Sequence, residues 1–187
     1  MSQNFQQQKQ RQPRRKDKSN EGKWDNAIVS LCKKINRKKE YYTTSSCAGR
    51  ISLVKGLGEK AENVFLFKTH NKISFKKLKG ELEKAGKYKG LIYFKQEPCI
   101  LHVACLNLEY ARKLLIRARI AGWKRSGIIS VGKRVMLELI STEKMELPVA
   151  DNGKLLTDND YLNLLTREAN KKLKKTREKI KNFENNV

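Results

Sequence analysis

Acidic side chains are scarce in this sequence: 19 Asp and Glu stand against 42 Lys and Arg, a formal net charge of +23 over 187 residues. An excess of that size concerns partners, not fold. It selects polyanions, nucleic acid first and an anionic membrane surface second. Long apolar runs are also missing. The longest, 100–106, is interrupted by His102 and falls far short of a bilayer span. No apolar segment follows the charges at the N-terminus, so a secretory signal is not expected, and the chain reads as soluble and cytoplasmic. Metal-ligand clusters are the third shortage. The two histidines (His70 and His102) and four cysteines (Cys32, Cys47, Cys99 and Cys105) include no C-x-x-C pair. Neither a zinc site nor a disulfide framework is expected; the thiols read as reduced and mostly buried.

What is present suits one domain with a proper core. Residues 1–16 are basic, Gln-rich and nearly devoid of groups to bury, so they read as a disordered tail ahead of a single domain over 17–187. Asp25 stands as N-cap of a helix carrying Ile28, Leu31, Cys32 and Ile35 at i, i+3, i+4 and i+7, with cations at its far end. A polar loop follows over 41–51. Strands over 50–55 and 64–70 flank Gly56-Leu57-Gly58, a connection between strands and not a phosphate loop opening a helix. Ser74 caps a helix on Phe75, Leu78, Leu82 and Ala85, which Gly86 stops. Strands over 90–96 and 99–105 pair around Glu97-Pro98. Asn107 caps a helix over 108–121, closed by Gly122, and strands over 127–131 and 134–140 turn at Gly132-Lys133. After a loop through Pro148 and Gly153, Asp158 caps a last long helix. One helix and three strand–strand–helix units predict an α+β fold, a mainly antiparallel sheet covered by helices and not a doubly wound Rossmann-type fold.

The charge is uneven. Residues 112–134 hold eight Lys and Arg and no acid, and 167–181 hold eight more basic residues. Several such runs on a small chain point to a polyanion bound with strong salt dependence. No aromatic ribonucleoprotein motif, G-x-x-G clamp or zinc knuckle selects a standard RNA module. The loop Tyr41-Tyr42-Thr43-Thr44-Ser45-Ser46-Cys47-Ala48-Gly49-Arg50-Ile51 is the richest in chemistry: a run of hydroxyls, a thiol, a glycine and a fork-shaped cation. Such a segment either holds a polar ligand or satisfies its own backbone through side-chain turns.

These segments together resemble the wybutosine-synthesis N4-methyltransferases, in their short archaeal-type form. The matching stretches are D-K-S-x-x-G-x-x-D (17–25), Y-Y-T-T-S-S-C-x-G-R-I (41–51) and F-L-F-K-T-H (65–70). To these are added L-H-V-A-C (101–105), A-x-x-L-L-x-x-A-x-x-A-G-W-K-R-S-G-I (111–128) and a tail through Tyr161 and Asn170. Two departures are Ala48, where the family usually has serine, and Lys68-Thr69 ahead of His70, where Val-Ser is commoner.

The resemblance implies methyl transfer from S-adenosyl-L-methionine to a ring nitrogen of the 7-aminocarboxypropyl-demethylwyosine base at position 37 of tRNA-Phe, in the anticodon loop, with no metal. On that reading Ser45, Ser46, Cys47, Gly49 and Arg50 line the cofactor site. His70, His102 and Ser46 orient the base or accept a proton, and Trp123, Lys124, Arg125 and Ser126 contact the substrate; Trp123, following the helix-ending Gly122, either stacks a base or equally well serves the core. Positioning alone can supply up to about 7–11 kcal/mol of such a barrier. A non-enzymatic, ribosome- or tRNA-associated RNA-binding protein explains the charge equally well, but leaves the hydroxyl-rich segment without a purpose.

Overall fold

The computed structural model describes residues 2–11, 25–56 and 64–187. The expected motif at 17–24, the rest of the tail and most of the Gly56-Leu57-Gly58 connection lie outside these residues. Where one domain was expected over 17–187, the chain divides into two compact units: residues 1–48, 98–142 and 176–187 form the first, 49–97 and 143–175 the second.

The first unit is built on a four-stranded antiparallel sheet. In spatial order its strands are β1 (Tyr41–Cys47), β5 (Ile100–Cys105), β7 (Val135–Ile140) and β6 (Gly127–Val131). Alternation along each strand separates two faces. Leu101, Val103 and Cys105 of β5 and Val135, Leu137 and Leu139 of β7 enter the main core. They pack there with Leu31, Cys32 and Ile35 of helix α2 (Val29–Arg37) and with Ala111, Leu114 and Ala118 of α4 (Leu108–Ile120). The opposite face is partly covered by α1 (Ser2–Arg11), whose Phe5 is buried against Tyr42 and Ala104. This corrects the expectation of a disordered 1–16 for residues 2–11. One aromatic side chain, seated 5.1 Å from the Tyr42 ring, gives the otherwise polar helix a place to dock.

The hydroxyl-rich segment is also not a loop. Tyr, Thr and Ser at 41–46 form β1, since aromatic and β-branched side chains suit a pleated strand covered on both faces. The only irregularity in its pairing with β5 is a register shift at Thr43/Ser45. Asp25 does not cap α2, whose N-cap is Ile28 without a side-chain bond. Asp25 instead accepts the Ile28 N–H through its carbonyl at 3.0 Å and the Ala48 N–H through its carboxylate at 3.1 Å.

The second unit holds a five-stranded antiparallel sheet in the order β3 (Phe65–Thr69), β2 (Arg50–Lys55), β4 (Leu91–Glu97), β8 (Met145–Asp151) and β9 (Lys154–Leu155). Strands 90–96 and 99–105, expected as a pair, therefore belong to different sheets, and the expected loop at Pro148 is the strand β8. Helix α3 (Phe75–Ala85), capped by Ser74 accepting the Lys77 N–H, contributes Leu78 and Leu82 to this core. The long helix α5 (Asn159–Asn186) adds Leu162, Leu165, Ala169 and Leu173. Its last turns supply Ile180 and Phe183 to the core of the first unit.

Candidate active site

In the first unit, Ser45 stands directly opposite His102, and His102 opposite Glu138, on three adjacent strands. Ser45 Oγ lies 2.7 Å from His102 Nδ1, and His102 Nε2 lies 2.9 Å from Glu138 Oε1. One residue along β1 the pleat turns Ser46 the other way. Its Oγ is buried and has no hydrogen-bond partner among the described residues. An unpaired buried hydroxyl costs about 1–3 kcal/mol, so this group is a candidate for satisfaction by a ligand. Cys47 is half-buried at the end of the strand. The Ala48 backbone is held from both sides: Asp25 accepts its N–H, and Arg177 donates to its carbonyl.

In the second unit, Gly49 adopts φ 86°, in the left-handed region that glycine enters without steric cost. Its carbonyl lies 3.1 Å from His70 Nδ1, so His70 is tied to the backbone of the same motif. Arg50 is engaged by a carboxylate of the chain itself: Nε and one terminal nitrogen grip Glu97, the second contact at 3.1 Å. Its guanidinium also sits 4.6 Å from the Phe65 ring centroid. The fork is thus fixed in orientation by a bidentate pair and an aromatic face. Glu97, read in the sequence as half of a turn with Pro98, was missed in this role. Glu138 was missed too, since only the register of β5 against β7 brings it to His102.

Two of the four expected substrate contacts are corrected. Trp123 is fully buried, with its ring 5.4 Å from Phe183 and its indole N–H donating to the Lys179 carbonyl at 3.1 Å. It is delivered there by the end of α4, where the Trp123 N–H bonds to the Ala118 carbonyl and the Gly122 N–H to that of Arg119. That is a Schellman closure with Gly122 at φ 94°. Ser126 is buried as well; its hydroxyl donates to the Trp123 carbonyl at 2.6 Å and accepts the Ile140 N–H at 2.9 Å. Both residues hold the chain in place. Lys124 and Arg125 are exposed beside them.

The family model described as Methyltransferase TYW3 matches residues 3–187. The chain belongs to this methyltransferase family. A Thermococcus sibiricus member, tRNA(Phe) 7-((3-amino-3-carboxypropyl)-4-demethylwyosine(37)-N(4))-methyltransferase, is 37% identical over 175 residues, spanning 91% of this chain and 87% of its own. An Archaeoglobus fulgidus protein of the same name is 40% identical over 163 residues, 86% of this chain and 81% of that one. Among solved structures, the PH1069 protein of Pyrococcus horikoshii superposes with a TM-score of 0.87 at 32% identity, covering 98% of this chain and 96% of that one. The expected α+β class is borne out by this likeness and by the two antiparallel sheets; no parallel, doubly wound sheet occurs among the described residues.

Proposed function

We propose that this methyltransferase acts on tRNA(Phe), moving a methyl group from S-adenosyl-L-methionine to N4 of a 4-demethylwyosine-type base at position 37. What supports the substrate is the shared name of archaeal relatives that this chain matches over most of their length. The structural observation that carries the cofactor site is the buried, unpartnered Ser46 hydroxyl inside the hydroxyl-rich segment that continues into Gly49 and Arg50. Polar groups that satisfy one another need no ligand; this one is left for a polar visitor. Ser46, Cys47, Gly49 and Arg50 would hold S-adenosyl-L-methionine, which when bound supplies an electrophilic methyl group; Ser45, turned to the other face of β1 and bonded to His102, is left out of that set. The chain's own work is then to bind and orient. Ser46 offers a hydroxyl, the Gly49 turn brings backbone close without a side chain in the way, and Arg50 presents a cation that Glu97 and Phe65 keep in one orientation. His70, linked to the Gly49 carbonyl, steadies that turn. Lys124 and Arg125 carry exposed positive charge for tRNA phosphates, so affinity falls steeply with added salt.

The test is transfer of a labelled methyl group to tRNA(Phe) bearing the 4-demethyl base, together with calorimetry of the cofactor in the absence of RNA. Ser46→Ala and Arg50→Ala are expected to weaken cofactor binding and slow transfer. Unchanged values in both variants would remove the site assignment. Neither heat nor transfer from the unaltered chain would return the protein to a plain RNA binder.

A further inference from the structure

The hydrogen-bonded row Ser45–His102–Glu138 goes beyond what holding a cofactor requires. Its three members sit on β1, β5 and β7 as successive register partners, on the sheet face opposite Leu101, Val103, Leu137 and Leu139. The order of groups is that of a relay. A carboxylate oxygen accepts, so in the neutral ring the Glu138 contact favours the tautomer with hydrogen on His102 Nε2 and a lone pair at Nδ1 facing the Ser45 hydroxyl. Ser45 donates its own hydrogen to that lone pair, which leaves the oxygen as an acceptor for a further donor. Phe5, Tyr42 and Ala104 close the neighbouring end of this face under α1. The row itself stays reachable, with the His102 side chain 27% and the Glu138 side chain 33% exposed. A purely structural sheet surface needs no hydroxyl, imidazole and carboxylate in that sequence.

We infer that Ser45, His102 and Glu138 form the proton acceptor for methyl transfer, with Glu138 as the positioning residue. This rests on the function proposed above, with the base reaching Ser45 over the outer edge of β1, the end strand of its sheet, while the donor lies by Ser46. A 4-demethyl nitrogen bears hydrogen where the product bears methyl, so each turnover releases one proton. The new nitrogen–carbon bond forms as the carbon–sulfur bond of the sulfonium donor breaks, and the electron pair of that bond stays on sulfur. The hydrogen on nitrogen passes to Ser45 Oγ while the Ser45 hydrogen passes to His102 Nδ1. The imidazolium that results is held by Glu138 through a charge-assisted bond and then loses its proton to solvent. General-base assistance of this kind contributes about 10²–10⁴-fold.

The experiment combines single-turnover methyl transfer with ¹⁵N NMR of His102 in the protein without methyl donor. In the neutral imidazole, Nε2 is expected to give a pyrrole-type signal and Nδ1 a pyridine-type one. His102→Ala is expected to slow transfer by about 10²–10⁴-fold. The near-isosteric Glu138→Gln should slow it by up to about 10⁴-fold, with KM for tRNA and for the methyl donor unchanged, and Glu138→Asp should recover part of the loss. A protonated Nδ1 in the neutral ring overturns the relay. So does wild-type speed in both His102→Ala and Glu138→Gln. Should the unaltered chain transfer no methyl group at all, the parent reading falls instead, and the NMR signals still decide the hydrogen placement.

Discussion

Replacing Trp123 separates a core role from base stacking, two roles that predict opposite results. The indole is fully buried, pairs with the Phe183 ring at 5.4 Å and 56°, and donates its N–H to the Lys179 carbonyl. Trp123→Ala removes the whole ring from a close-packed site, and such truncations cost about 3–5 kcal/mol. Trp123→Phe keeps an aromatic partner for Phe183 but loses the N–H donor, and the lost bond alone costs about 0.5–1.5 kcal/mol. The order of stability is therefore wild type, then Phe, then Ala, measured by urea unfolding followed by circular dichroism. Binding of tRNA by the still-folded Phe variant should match wild type. A base-stacking residue would behave in reverse: stability within about 0.5 kcal/mol of wild type on truncation, and about 1–3 kcal/mol lost from RNA affinity. That second pattern would refute the core assignment.

Ser126→Ala deletes both a donor to the Trp123 carbonyl and the acceptor of the Ile140 N–H. It should destabilise by about 1–3 kcal/mol in the same urea assay while leaving the single-turnover rate of methyl transfer unchanged. Phe5→Ala removes the apolar anchor of α1. It should raise amide exchange and proteolytic cleavage within residues 2–11, with the protection of β5 and β7 kept. Alkaline pH should destabilise the fold. Burial pushes the Cys105 thiol and the Tyr41 hydroxyl each up to about 12 from ordinary values of 9.0 and 10.0. The native state thus keeps protons that the unfolded chain releases, so this contribution is whole below about pH 9 and declines as pH rises toward about 12. Cys105→Ala should flatten the fall in urea midpoint across that range.

Much of the fold was legible because local signals are strong where one helix or hairpin is concerned. Ser74, Asn107 and Asp158 each accept the N–H three residues on, as their positions ahead of apolar stripes implied. The β2–β3 and β6–β7 pairs likewise form. Misreadings arose where distant segments compete. The run 41–47 reads as a polar loop from its successive hydroxyls but finds a ready partner in β5, and hydrogen bonding along a whole strand outweighs the local side-chain turns that Ser and Thr offer. Glu97-Pro98 looked like a hairpin turn; β4 pairs with β2 and β8, while β5 pairs with β1 and β7. Of the proposed site, the hydroxyls, Arg50 and both histidines stand out by residue type and motif alone. Their partners Glu97 and Glu138 do not, because each lies more than 30 residues away in the chain and meets its partner only through strand register.

The sequence by itself determined the class of partner, the helix caps and stripes, and the family to which the motifs belong. These depend on net charge, on spacing within a few residues, and on the identity of a short segment. Tertiary structure alone decided that Trp123 and Ser126 are buried supports, that Ser46 has no hydrogen-bond partner among the described residues, and that Glu138 stands behind His102. Burial and hydrogen-bond pairing are properties of residues brought together from afar, and no local pattern carries them.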